Sequence, residues 1–137
     1  ERIRTVGAEF GTTTGRPRRC GWLDILILKF AVRVNGLTAL AINKLDTLTG
    51  IEKLKVCVAY EKDGQRIYDF PTDISELEGC KPVYIELDGW KEDITGAKSF
   101  DELPAAAKAY IECIEKESGC PVKMVGVGPD REQNLYR

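Results

Sequence analysis

Apolar residues at Leu23, Leu26, Phe30 and Val34 recur close to the 3.6-residue period of a helix, and Asn35-Gly36 supplies a stop after them. The spacing predicts a helix over this stretch. Because apolar residues fall on most of its sides, the helix is expected to be largely buried. Residues 37–42 are short and apolar, which suits a buried strand running into the polar Asn43-Lys44-Leu45-Asp46. The segments Lys55 to Tyr60 and Arg66 to Phe70 flank Asp63-Gly64, a turn signal, and together predict a β-hairpin. Asp101 is placed to cap a helix reaching about Ser118, with Leu103, Ala107, Tyr110, Ile111 and Ile114 on one face and Gly119 closing it. Residues 121–127 read as a further short apolar strand, running into Gly-Pro-Asp-Arg. This succession predicts an α/β arrangement with an antiparallel hairpin attached.

Composition narrows the class. A chain of 137 residues that is 43% hydrophobic and 31% charged has material for one ordinary core and is not disordered in character. Its 20 basic and 22 acidic residues leave a net charge of −2, so no global field favours nucleic acid or anionic lipid. Basic character is local, near the N-terminus. Five cysteines, Cys20, Cys57, Cys80, Cys113 and Cys120, are widely spaced and form no CxxC pair, which argues against a closed disulfide framework and a zinc site. Reduced thiols in a cytoplasmic protein are expected. The longest apolar run, Trp22 to Val34, is broken by Asp24, Lys29 and Arg33 and is too short for a membrane span. The chain begins at Glu1, close before a loop of functional character and with no signal-peptide pattern, and is expected to be a piece of something longer.

Three stretches could carry chemistry. In Gly11–Arg19 (GTTTGRPRR), the hydroxyls of Thr12, Thr13 and Thr14 and the backbone amides donate hydrogen bonds, and Gly15 permits close approach. Arg16 and Arg18 each offer a bidentate fork to a carboxylate or phosphate, and Pro17 stiffens the spacing between them. The spacing is not that of a GxxxxGK[ST] phosphate loop, and a solvated basic loop before a helix is the plain alternative. In the second stretch, Asp46 can accept from both N1–H and the exocyclic amine of guanine, an edge that adenine lacks, while the Lys44 stem can lie along a base. An Asx-capped turn is the competing reading. In the third, backbone amides of Gly126-Val127-Gly128-Pro129 could donate to guanine O6, or the loop could simply be a turn before the tail.

The ordered stretches GAEFGTTTGRPRRCGWLD, NKLDTLTG, CVAY, GWKEDITGAKSFDELP, AAKAYIECIE and VGVGPDR together resemble the adenylosuccinate synthetases over essentially the whole chain, in their C-terminal third. The resemblance implies the C-terminal part of a P-loop-related α/β fold with a large, mostly parallel sheet, residues 1–137 forming one region without the N-terminal catalytic part. It implies an enzyme that joins IMP and L-aspartate to give adenylosuccinate, with GTP hydrolysis through a 6-phosphoryl-IMP intermediate, in AMP biosynthesis. It assigns Thr12, Thr13, Thr14, Gly15, Arg16, Pro17 and Arg18 to a mobile L-aspartate loop, with Arg16 also touching the IMP ribose and Arg18 also reaching GTP. Lys44, Leu45 and Asp46 match its guanine-specificity segment, and Gly126, Val127 and Gly128 its second base-contacting loop. Pro17 stands where some members carry another arginine, so a third cation there is not implied.

The family's catalytic aspartate and histidine, its phosphate loop and its magnesium ligands belong to the N-terminal part, so no catalytic or metal-binding residue is assigned here. The chain has no histidine at all. Mg2+ and a homodimer are implied for the full enzyme, and the segment alone is expected to be inactive because acid–base groups and phosphoryl stabilisation supply most of such catalysis. An autonomous guanine-nucleotide-binding module without chemistry is the alternative. Neither nucleic acid nor membrane is an expected partner.

Overall fold

The computed structural model describes all of residues 1–137. Two small sheets share a core with two long helices. In the first sheet, β3 (Lys53–Lys62) is the central strand. Strand β5 (Lys81–Asp88) runs antiparallel along one of its edges. The other edge is shared by β1 (Leu23–Asp24), parallel to β3, and β4 (Gln65–Ile67), antiparallel to it. In the second sheet, β6 (Val122–Gly126) lies between β2 (Leu40–Ile42), parallel, and β7 (Asn134–Tyr136), antiparallel. The fold is therefore mixed α/β, with the anticipated hairpin present.

That hairpin turns on Asp63 and Gly64 at φ 52° and 76°, the left-handed pair that a two-residue turn needs to match strand twist. Its second arm stops at Ile67. Phe70 instead packs its ring 5.5 Å from Phe30.

Helix α2 (Ile25–Asn35) follows β1 directly, since Asp24 Oδ1 accepts from the amides of Leu26 and Ile27. Its other oxygen, Oδ2, accepts from the Tyr60 hydroxyl. Burial and this bond raise the Tyr60 pKa, so the phenol stays protonated and ties the helix start to β3. Gly36 in the left-handed region ends the helix where expected. The expectation of a largely buried helix is corrected, because only Ile25 and Leu26 are buried, while Ile27 and Val34 are half exposed. The helix packs against β3 and α4, and Ile27 and Val34 lie off that contact. Strand β2 is likewise an edge strand, half-buried, and shorter than the buried 37–42 strand anticipated.

Helix α4 (Ala105–Ser118) buries Ala107, Tyr110, Ile111 and Ile114, the predicted stripe, and ends at left-handed Gly119. Burial pushes the Tyr110 pKa up to about 12. The start differs from expectation. Asp101 lies in a separate 3₁₀ turn, Phe100–Glu102, and Pro104 takes the cap position with no side-chain cap. The main core joins that stripe to Ile25, Leu45, Leu54, Val56, Val122 and Val125, so both sheets close on α4. Three strands were not anticipated, the first being β1, whose Leu23 was expected to begin the helix. Strand β5 alternates with Val83, Ile85 and Leu87 half-buried, and β7 contributes buried Leu135.

Candidate functional site

Short helix α1 (Arg2–Val6) leads into Gly7 and Ala8, and Ala8, at φ 50°, reverses the chain. Residues 9–18 then fold back on themselves. The Arg18 amide donates to the Glu9 carbonyl (2.9 Å), Phe10 pairs with Pro17, and the Gly11 amide donates to the Arg16 carbonyl (2.8 Å). Gly15, at φ 62°, makes the tip and donates to the Gly11 carbonyl (2.8 Å). Thr14 Oγ1 accepts from the Arg16 amide at 3.3 Å, so this hydroxyl is partly used within the loop. The side chains of Thr12 to Arg18 are all exposed. They form a small, internally braced hairpin whose polar groups face outward.

At the end of β2 the chain makes a second sharp turn. Lys44 adopts φ 59°, ψ 37°, unusual for a residue with a side chain, and Leu45–Leu48 follow as a 3₁₀ turn. Thr47 Oγ1 donates to the Lys44 carbonyl at 2.8 Å and fixes the turn, while Leu45 is buried in the core. Of this segment only Lys44 and Asp46 are thus free to present side chains. Asp46 Oδ1 is buried and has no hydrogen-bond partner within the chain. A shielded carboxylate oxygen without a donor is uncommon and calls for one from outside.

Lys44 and Asp46 line a cleft of about 270 Å³ together with Thr47, Gly128 and Pro129, floored by residues 6–8. The turn after β2 and the loop after β6 therefore meet, because β2 and β6 are adjacent parallel strands ending on the same side. Within the second loop the three named residues separate. The Val127 side chain is fully buried, and its amide donates to the Gln133 carbonyl at 2.9 Å. Gly126 is buried at the strand end beside Asn43. Gly128 reaches the cleft. A Cβ at Gly128 would collide with the Gln133 side chain, which itself accepts from the Asp130 amide (3.0 Å) and donates to the Thr95 carbonyl (3.0 Å). Gln133 is the brace of this loop, and no motif marked it.

Glu9 links the opening loop to the cleft. Its Oε2 accepts from Arg18 Nη1 at 2.8 Å and its Oε1 from Lys44 Nζ at 2.5 Å, and Lys44 Nζ also donates to the Gly7 carbonyl at 2.7 Å. Hydrogen bonds from Lys44 and then Arg18 hold the Glu9 carboxyl below the ordinary glutamate range. Arg16 is different. No ion pair occupies its guanidinium, so of the two anticipated forks one is held and one is open. Glu9 escaped the sequence reading. An acidic residue just ahead of a basic loop was its only signal.

The arrangement offers a carboxylate acceptor, a lysine stem and a glycine backbone in one cleft, with an arginine-bearing hairpin tethered to its rim. Thr12 to Arg16 do not line that cleft. The chain gathers no group of three or more His, Cys, Asp or Glu side chains able to hold a metal ion, so no step is assigned to Mg2+ here. None of its helices is long and apolar enough to cross a membrane.

The family model described as adenylosuccinate synthetase matches residues 1–135. An adenylosuccinate synthetase of Acetivibrio thermocellus is 57% identical over 135 residues, covering 98% of this chain and 32% of that protein. One from Desulforudis audaxviator is 57% identical over 135 residues, with 98% and 31% covered. The solved structure of fully ligated adenylosuccinate synthetase from Plasmodium falciparum superposes with a TM-score of 0.93 at 42% identity, covering 98% of this chain and 33% of that one. The chain thus spans about a third of the length of these relatives.

Proposed function

Since the chain belongs to the adenylosuccinate synthetase family, we propose that it is the C-terminal segment of a cytoplasmic, homodimeric ligase that joins IMP and L-aspartate at the expense of GTP. In this reading the segment supplies two binding elements. The cleft between the Lys44 turn and the Gly128 loop takes the guanine of GTP, and the residue 12–18 hairpin takes the carboxylates of L-aspartate, with Arg16 also reaching the IMP ribose and Arg18 the GTP. The observation that carries it is the buried, unpartnered Asp46 Oδ1 in a cleft with Lys44 and Gly128. Guanine presents N1–H and a 2-amino group on one edge, two donors spaced for one carboxylate. Of the loop amides, that of Gly128 has no partner within the chain and is the one able to meet O6, because the Val127 amide is already bonded. Leu45, Gly126 and Val127 act by holding the backbone rather than by presenting side chains.

The open Arg16 fork supports the aspartate assignment, because a planar guanidinium matches a carboxylate with two parallel bonds. General acid, general base, phosphate cradle and Mg2+ ligands are assigned to the remainder of the full-length protein. Coverage of only about a third of the relatives' length supports a segment of an enzyme over an autonomous nucleotide-binding module.

The test is direct. With IMP, L-aspartate, GTP and Mg2+, the full-length protein is expected to release adenylosuccinate, GDP and phosphate, and the purified 137-residue chain none. Product from the isolated chain, or none from the full-length protein, would overturn the reading.

A further inference from the structure

We propose that Glu9 is a positioning residue shared by the two half-sites, so that occupancy of the residue 12–18 hairpin and of the Lys44–Asp46–Gly128 cleft is coupled through one carboxylate. The inference rests on the function proposed above. It starts from an asymmetry between the two oxygens of a single side chain. Oε2 holds Arg18 of the hairpin and Oε1 holds Lys44 of the cleft, at 2.8 and 2.5 Å. The backbone reinforces both ends. The Arg18 amide donates to Glu9's own carbonyl, and the Lys44 ammonium also donates to the Gly7 carbonyl two residues earlier.

Chemistry makes this more than a surface pair. Lys44 is held in a left-handed turn, so its backbone already limits where the stem can go, and anchoring Nζ fixes the stem along the cleft wall. Arg18, by contrast, sits on a hairpin whose side chains are exposed and whose task is to meet an anion. Glu9 takes only Nη1 of Arg18, so an anion arriving at the hairpin meets the rest of a guanidinium that Glu9 already holds in place. With Arg18 fixed between the anion and Glu9, the carboxylate is fixed in turn and keeps the Lys44 ammonium anchored beside the cleft. If a base settles against the Lys44 stem, the ammonium and Glu9 are fixed, and Arg18 is held in register beside Arg16. Each event changes the free energy of the other, and such coupling is reciprocal. Glu9 touches neither ligand in this scheme.

The test uses the full-length synthetase carrying Glu9→Gln, which keeps the side chain's shape and removes its charge. KM for GTP, KM for L-aspartate, kcat and the thermal midpoint are measured. Both KM values are expected to rise together by about fivefold or more, the lower end of typical coupling between sites, with kcat and the thermal midpoint changing far less. Glu9→Asp, which keeps the charge on a shorter stem, is expected to lose less at both. In a Lys44→Met background, Glu9→Gln should add little further to the KM for GTP while still raising that for aspartate, since linked residues are not additive. Unchanged KM values, a rise in only one, equal losses in the Gln and Asp variants, or full additivity with Lys44→Met would each overturn the proposal. If Asp46→Asn weakens GTP use while Glu9→Gln has no effect, only the coupling fails. If Asp46→Asn also has no effect, the guanine assignment beneath it fails too.

Discussion

Replacing Asp46 with asparagine in the full-length enzyme is expected to raise the KM for GTP roughly 10- to 100-fold while improving relative use of xanthosine triphosphate. A hydrogen bond to a charged group contributes roughly 1.5–3 kcal/mol, and every 1.4 kcal/mol is tenfold. Asp46 Oδ1 is buried without a partner in the chain, so its desolvation is compensated only when donors arrive from a ligand. Asparagine keeps the volume but replaces one acceptor with an amide NH2, which faces the guanine donors as donor against donor. Xanthine carries an oxo group where guanine carries the amine, and the same NH2 can donate to it. The measurement is the ratio of kcat/KM for the two triphosphates. A ratio equal in wild type and variant would remove Asp46 from base recognition.

Arg16→Leu is the second large effect. Its guanidinium, unlike that of Arg18, is not tied up in an ion pair, and the hairpin that carries it is braced by its own backbone. The loss should therefore fall on the ligand rather than on the fold. Removing a bidentate carboxylate partner is expected to raise the KM for L-aspartate by about tenfold or more and the KM for GTP by far less. Steady-state kinetics with each substrate varied separately gives the answer, and equal rises in both would contradict the aspartate-loop assignment.

Local chemistry made some of the fold legible and left other parts silent. The α4 stripe and its Gly119 stop were readable because helix period and a left-handed cap are properties of neighbouring residues. The Asp63-Gly64 hairpin was readable for the same reason. The start of α4 was not, since Asp101 is a good capping residue by type but lies in its own 3₁₀ turn, three positions before Pro104. Burial of α2 was overestimated because an apolar sequence reports what could be covered, not what covers it. Strand β5 had a period-two pattern in Val83, Ile85 and Leu87 alternating with exposed Glu86 and Asp88, obscured by Pro82 and by apolar Tyr84 on the exposed side. Strand β7, only three residues long, had no pattern to show.

In the site, the chemistry of Asp46 and Arg16 could be argued from residue type. The meeting of the Lys44 turn with the Gly128 loop could not, because residues more than eighty positions apart are joined only by the β2–β6 pairing. Base chemistry suggested that pairing of motifs, since a donor to guanine O6 completes the edge that Asp46 begins, and the family resemblance agreed with it; periodicity did not bear on it. Glu9 and Gln133 were missed on both routes, since their roles arise from contacts made only after the loops fold back.

The central claim, two ligand elements in one segment, is tested most directly by amide hydrogen exchange on the full-length protein. GDP is expected to slow exchange in residues 43–48 and 126–129, and L-aspartate with IMP in residues 11–18. Protection by GDP confined to other parts of the protein, or no protection of residues 11–18 by aspartate with IMP, would contradict it.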